Sequence, residues 1–432
     1  MFESAIIENP KRARELLGRT AWYPYYAGFS DSFAQSLLRT SVRKDIDVVF
    51  DPWNGSGTTT TNAAQLGIRT IGSDLNPAMV LVANARLLSH RSKTSLEPLG
   101  ERILRSHTPV LATDDPLKRW FTPQSASIIR GIEEQIRTTL ISRRRKSPLE
   151  DDISDVSDIA AFYYVALFST VRGFMDSFKS SNPTWIKVPK RSQNRARPRR
   201  SRILDAFRAN INEMVNAISH APNDLSDLSR CASVSVDNAE DLSLPPESVS
   251  FVLASPPYCT RIDYGVLTYP ELAVLGLDPL SSAQELRREL TGSCAVNRDI
   301  DEPTKAWGAS TLATLSRVKQ HQTKASATYY HTQLQRYYTS LYRSISGIYR
   351  VLKRGGGAVV VVQDSYFKDV HIDLPANIRE MGENLGFRVA RLEAFPVRST
   401  MSRFNTRHRK YKRRPELVES VICFEKKGTE KK

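Results

Sequence analysis

Two stretches of the chain hold residues whose types and spacing can do chemistry. The first is Asp51-Pro52-Trp53-Asn54-Gly55-Ser56-Gly57-Thr58, which follows the apolar run Val48 to Phe50. An apolar run closed by Pro and a glycine-rich turn reads as a buried parallel strand. Thr58 to Gly67, with Ala63, Ala64, Gln65 and Leu66 before the glycine, reads as the helix after it. A strand, a glycine turn and a helix start present backbone N–H groups to a ligand. A nucleoside triphosphate does not suit this turn, because Thr58-Thr59 stands where Lys and Ser/Thr are needed. The three spaced glycines of a dinucleotide site are missing as well. Arg69 to Asp74 then reads as a second strand ending in an acid, about twenty residues further on. A carboxylate there either accepts hydrogen bonds from both ribose hydroxyls of a nucleoside or caps a turn.

The second stretch is Ser255-Pro256-Pro257-Tyr258, after the apolar strand Val249 to Ala254. Two prolines fix φ and leave carbonyls that no local N–H can satisfy. Such a turn suits an amine on an aromatic ring, whose lone pair is delocalised until acceptors grip the two N–H groups and turn it toward an electrophile. Ser255 Oγ and the Pro256 carbonyl are the acceptors, Pro257 stiffens the turn, and Tyr258 offers a face for stacking. The C5-cytosine methyltransferases attack a base with a Cys placed directly after Pro; the stretch here does not resemble them, because Tyr258 intervenes, so Cys259 is expected to be a small buried residue.

The chain that must position these groups has 432 residues, 40% of them apolar, and a net charge of +16, with a pI near 9.7. That length can bury one enlarged core or two, and that charge points to a polyanionic partner. No apolar run reaches the roughly 20 residues of a membrane span. Met1 to Thr20 is mixed and charged, unlike a secretory signal. The unpaired spacing of Cys231, Cys259, Cys294 and Cys423 implies a reduced, cytoplasmic compartment and no structural metal.

Apolar spacing predicts a helix at Ser32 to Thr40 and another after Asn76-Pro77, an N-cap followed by a first-turn proline. Residues 90 to 230 read as mostly helical, with Asp158 to Phe178 a core helix and Ile203 to Ile218 an amphipathic one. Strands are expected at Ala232 to Val236 and Ala358 to Val362. A long helix over Leu334 to Leu352 is expected to stop at Gly355-Gly356-Gly357. Gln363-Asp364 is placed at a strand end facing the crevice, and Phe387 to Phe395 with Val418 to Phe424 as a closing hairpin. Residues 278 to 330 show no readable pattern. Lys187, Lys190, Arg191, Arg195, Arg197, Arg199, Arg200 and Arg202 form an acid-free run, either a phosphate-contacting arm or a solvated or disordered loop. Arg398 to Arg414, including Arg409, is a second such run, interleaved with Phe404 and Tyr411. Arg143 to Lys146 is a shorter one.

Asp-x-x-x-Gly-x-Gly at the first strand end resembles the cofactor motif of the S-adenosylmethionine-dependent methyltransferases. With Ser-Pro-Pro-Tyr downstream, the chain resembles the DNA amino-methyltransferases that act on cytosine N4 or adenine N6. The resemblance covers residues 20 to 90 and 230 to 425. It implies an α/β, Rossmann-like methyltransferase fold, with a mostly parallel seven-stranded sheet and a large helical insertion. It implies S-adenosylmethionine held by Asp51, Pro52, Asn54, Gly55, Gly57, Thr58, Asp74 and Asn76, with Asp237 at the adenine amino group. Trp22 to Ser30, with Phe29, resembles the N-terminal motif that closes over the methionine end of the cofactor. Asp263 and Tyr264 lie where the family covers the target pocket, although Asp263 equally suits a helix cap. The parts expected are a cofactor part (1–90), a helical insertion (91–230) that contacts DNA, and a catalytic part (231–432). DNA is the implied substrate, double-stranded, with a restriction-system protein as a further partner. Ser at the head of the catalytic motif resembles the cytosine-N4 enzymes. Adenine-N6 or RNA guanine-N2 transfer, and a non-catalytic nucleic-acid-binding module, stay open on the residues alone.

Overall fold

A computed structural model of the protein describes residues 2–11, 18–25, 28–44, 46–110, 112–142, 149, 153–180, 185–219, 227–259, 263–293, 300–397 and 417–428. The basic runs at 143–146 and 398–414, Arg409 included, lie outside these residues, as do Arg261 and Ile262.

Seven strands form one sheet: β1 (Val48–Asp51), β2 (Arg69–Asp74), β3 (Ala232–Val236), β4 (Val249–Ala254), β5 (Leu352–Gln363), β8 (Phe387–Pro396) and β9 (Val418–Lys426). β6 (Ser365–Phe367) and β7 (Val370–Ile372) form a separate small hairpin. The sheet order is β3-β2-β1-β4-β5-β9-β8, parallel up to β5 and antiparallel at β9 and β8. A Rossmann-like methyltransferase fold is therefore present. β1 pairs with β2 on one side and β4 on the other, so the strand order reverses there and opens a crevice at the carboxyl ends. Both signal stretches of the sequence lie at that point.

The central strands are written as unbroken apolar runs because both faces are covered. Val49, Phe251, Leu253, Val359, Val361, Val421 and Cys423 point to one face, against α1 (Asp31–Ser41) and α2 (Thr58–Gln65). Phe50, Val252, Ala254, Val360, Val362 and Ile422 point to the other, against α12 (His331–Val351) and α13 (Leu374–Leu385). α12 ends before the glycine triplet, which lies inside β5 and does not stop the helix. A Cβ on Gly356 would come within 2.8 Å of backbone oxygens of Lys353 and Ser250, so close strand approach accounts for that glycine.

The insertion is helical as expected: α4 (Lys93–Ser106), α5 (Pro123–Leu140), α6 (Asp158–Gly173) and α7 (Arg200–Ser219). These helices share one apolar cluster with α3 (Pro77–Arg86) and with the short helices α8 (Tyr264–Leu267) and α9 (Tyr269–Val274). α6 is buried on nearly all sides, and Asp158 to Phe178 is core, ending in a 3₁₀ turn at Asp176–Phe178. The stretch 278 to 330 is more regular than its composition suggests, holding α10 (Ser282–Glu289) and α11 (Ala309–Gln320). Among the described residues, no helix is long and apolar enough to cross a membrane.

A buried ion pair ties the insertion to the segment after Tyr258. Arg172 of α6 forms a two-pronged contact with Glu271 of α9, whose side chain has no exposed surface, and the Tyr23 ring lies 5.4 Å from the guanidinium. Removing one partner leaves the other charge buried and unpaired. Glu271→Ala is therefore expected to cost about 3–5 kcal/mol in urea denaturation. A loss below about 1 kcal/mol would put the pair in the class of surface salt bridges.

Candidate active site

The crevice is a cleft of about 940 Å³, open to solvent and lined from three strand ends. From β1 and its turn come Asp51, Pro52, Trp53, Asn54, Gly55, Ser56 and Thr58; from β2, Asp74, Leu75 and Asn76; from β4, Ser255 to Tyr258. Tyr25, Gly28 and Phe29 line it from the N-terminal side.

Asp74 organises the cofactor half. Its Oδ2 accepts from Gly55 N–H at 2.9 Å and its Oδ1 from Asn76 N–H at 2.8 Å. Gly55 sits at φ +49°, in the left-handed region, with a would-be Cβ 3.0 Å from the Tyr25 ring. Asn76 caps α3 through Ala78 N–H and donates its side-chain amide to Thr268 Oγ1 at 2.7 Å. Asp51 accepts from Thr59 Oγ1 at 2.5 Å and Trp53 N–H at 3.0 Å. Burial pushes the Asp74 carboxyl up to about 6 against the help of those two backbone donors. Burial, with some repulsion from Asp74, pushes Asp51 up to about 7.

On the catalytic half the Pro257 carbonyl accepts from the Tyr337 hydroxyl at 3.0 Å, which braces the turn from α12. The Tyr258 hydroxyl donates to Glu419 of β9 at 3.1 Å. Cys259 is buried behind the turn, as expected.

Several expected residues stand elsewhere. Gly57 does not line the cleft; at φ +83° its missing side chain lets α2 pack on Ala83, 2.9 Å from the would-be Cβ. The Asp237 carboxylate is taken up by its own loop, accepting from Asn238 N–H and from Ser243 N–H and Oγ. Asn238 and Ala239 form the wall there instead. Asp263 caps α8 and pairs with Arg287 at 2.7 Å, whereas Tyr264 does line the cleft. Asp364 turns away to His371 at 2.9 Å, and the acid at that end of the sheet is Glu419. Lys190, Arg191 and Arg199 are exposed on the insertion and are not among the residues that line the cleft. The segment carrying them is ordered, pairing Ala196 with Phe121 and Ile186 with Lys179.

Residues 289–291, Met79 and Thr268 also line the cleft and were not foreseen. Gly72 was missed too, yet it carries a signal: a glycine inside a strand. Its would-be Cβ lies 2.5 Å from the Asn54 side chain, so β2 gives up a side chain to seat Asn54.

The residues fit S-adenosylmethionine. Asp74 retains acceptor capacity for ribose hydroxyls after its two backbone bonds. Among the described residues the buried Asn54 amide nitrogen at the cleft wall has no partner, while Phe29, Trp53, Leu75 and Met79 offer apolar surface. The lining contains Asp51, Asp74 and Glu289 and, among the described residues, no Lys, Arg or His, which suits a cationic sulfonium better than a phosphate. When bound, this group supplies an electrophilic methyl.

Fold and cleft resemble those of an S-adenosylmethionine-dependent methyltransferase. No family model matches the chain. It is 21% identical over 414 residues to the type II methyltransferase M.AvaI of Nostoc sp. and of Anabaena variabilis, spanning 87% of this chain and 80% of theirs. It is also 41% identical over 56 residues to the type II methyltransferase M.BsoBI of Geobacillus stearothermophilus, 13% of this chain and 11% of that one. Among solved structures, an S-adenosylmethionine-dependent methyltransferase from Methanosarcina mazei aligns over 90% of this chain and 97% of its own, at 9% identity and a TM-score of 0.30.

A neutral Asp74 carboxyl would lose the charge that strengthens hydrogen bonds from ribose hydroxyls. Cofactor affinity is thus expected to fall as pH is lowered through about 6 in calorimetry, and the Asp74→Asn variant to bind weakly and lose that part of the pH dependence. An unchanged affinity in Asp74→Asn would remove Asp74 from the site.

Proposed function

We propose that this enzyme methylates the N4 amine of cytosine in DNA. What carries the reading is the joining of two half-sites in one cleft: an acid-rich cofactor crevice and the Ser255-Pro256-Pro257-Tyr258 turn. A base reaches such a cleft only by leaving the stack. Ser255 Oγ and the Pro256 carbonyl then accept the two amine N–H bonds, and the Tyr258 and Tyr264 rings form the adjoining wall. Among the described residues the cleft lining holds no cysteine, which favours direct transfer. The choice of cytosine rests on the resemblance of a motif headed by Ser to the cytosine-N4 enzymes, because cytosine N3 and adenine N1 are alike as acceptors.

DNA is supported by the charge of +16, by the exposed Lys190, Arg191 and Arg199, and by the likeness to type II methyltransferases. Mass spectrometry of nucleosides from DNA of expressing cells is the test of substrate. N4-methylcytosine is expected and is lost in Ser255→Ala; N6-methyladenine in its place would move the target to adenine, and methylated guanine in RNA would move it off DNA.

The exposed basic segment is expected to bind phosphates. Replacing Lys190, Arg191 and Arg199 with Gln should flatten the slope of log affinity against log salt by about 3, at about 0.9 per contact. An unchanged slope would make the segment a solvated loop.

A further inference from the structure

Glu419 is a buried acid in contact with the catalytic turn and has no role in the transfer described above. It is the second residue of β9, and its register opposite Gln363 brings it to the carboxyl end of β5, beside the cleft. Its relative exposure is 1%, its Oε1 receives the Tyr258 hydroxyl at 3.1 Å, and its Oε2 is buried without a partner among the described residues. Lys11 approaches Oε1 at 3.8 Å and lies 5.7 Å from the Tyr258 ring centroid. The Ser255 hydroxyl lies close enough to the Tyr258 hydroxyl to stabilise negative charge there.

Amine methylation needs a proton acceptor. The amine nitrogen gains a methyl group as the sulfonium loses it, becomes cationic, and must shed one N–H proton. Serine is far too weak a base to keep that proton. We propose that Glu419 takes up the proton released from the methylated amine, through the hydroxyls of Ser255 and Tyr258. This rests on the amine-methylation reading above. The amine proton passes to Ser255 Oγ, the Ser255 proton to Tyr258 Oη, and the Tyr258 proton to Glu419 Oε1. The positive charge lost at sulfur is balanced by neutralisation of one carboxylate. Glu419 touches no substrate and is thus a positioning residue and proton sink, acting through Tyr258. Burial already raises its carboxyl above the ordinary range, which favours uptake. The charged and titratable groups facing it are Lys11, Tyr258 and Tyr264. The competing acceptor is Glu289, exposed at the mouth of the same cleft.

Glu419→Gln keeps an acceptor for the Tyr258 hydroxyl but cannot be protonated. With cofactor and DNA affinity unchanged, single-turnover transfer is expected to fall by about 100-fold. The fall in rate toward low pH, which reports Glu419 protonation, should vanish with it. Infrared difference spectra over one turnover should show a protonated-carboxyl band in the wild type and none in the variant. Tyr258→Phe retains the ring, breaks the relay and should lose the same band, which decides the matter if Glu419→Gln does not fold. A wild-type rate, pH profile or band in these variants would overturn the proposal, as would loss of the band in Glu289→Gln alone. A wild type that methylates no DNA would sink the substrate reading and this proposal together, whereas an active wild type matched by Glu419→Gln would sink this one alone.

Discussion

The Asp74 carboxylate holds two loops at once, accepting from Gly55 N–H with one oxygen and Asn76 N–H with the other. The first bond pins the glycine turn after β1, and the second starts α3. From Asn76 the chain of bonds continues to Thr268, in the segment after the catalytic turn. One acid thus sets the distance between the strand ends that carry the cofactor half and the stretch that borders the target half. The cost is a buried carboxylate whose pKa is raised by desolvation, a pattern found at sites poised for a ligand.

Charge is divided in a way that matches two ligands of opposite sign. The cleft lining carries acids and, among the described residues, no base, while the chain as a whole is strongly basic. In the proposed function Asp51 and Asp74 face a sulfonium, and Lys190, Arg191 and Arg199 a polyanion. Similar logic operates at the helical insertion, which is fastened by buried charge to the segment after Tyr258. Besides the Arg172–Glu271 pair, Arg130 of α5 is held by Asp115 and Glu133 and donates to the carbonyls of Ala273 and Val274 at the end of α9. A displacement of the insertion would therefore be felt in the segment bordering the target pocket.

Much of this was legible in the residue order. β1, β4 and β5 announce themselves because strands covered on both faces are written as continuous apolar runs, and α3 because Asn76-Pro77 is a cap followed by a first-turn proline. What escaped did so for identifiable reasons. Gly57 serves the packing of α2 on Ala83, a contact between helices that local pattern does not encode. Asp237 has the right place and type, but its own loop supplies three donors for its carboxylate. Glu289, Leu290 and Thr291 reach the cleft from a polar stretch without periodicity, and Glu419 meets Tyr258 from 161 residues away through an antiparallel strand. Proximity made only by topology leaves no trace in spacing.

The most direct test of the central claim is a crystal structure with S-adenosylhomocysteine and a short DNA duplex. The account predicts ribose hydroxyls on Asp74, sulfur facing Ser255, and a cytosine out of the stack with its amine on Ser255 Oγ and the Pro256 carbonyl. A nucleoside bound away from Asp74, or a base that stays stacked while its amine is remote from Ser255, would contradict it.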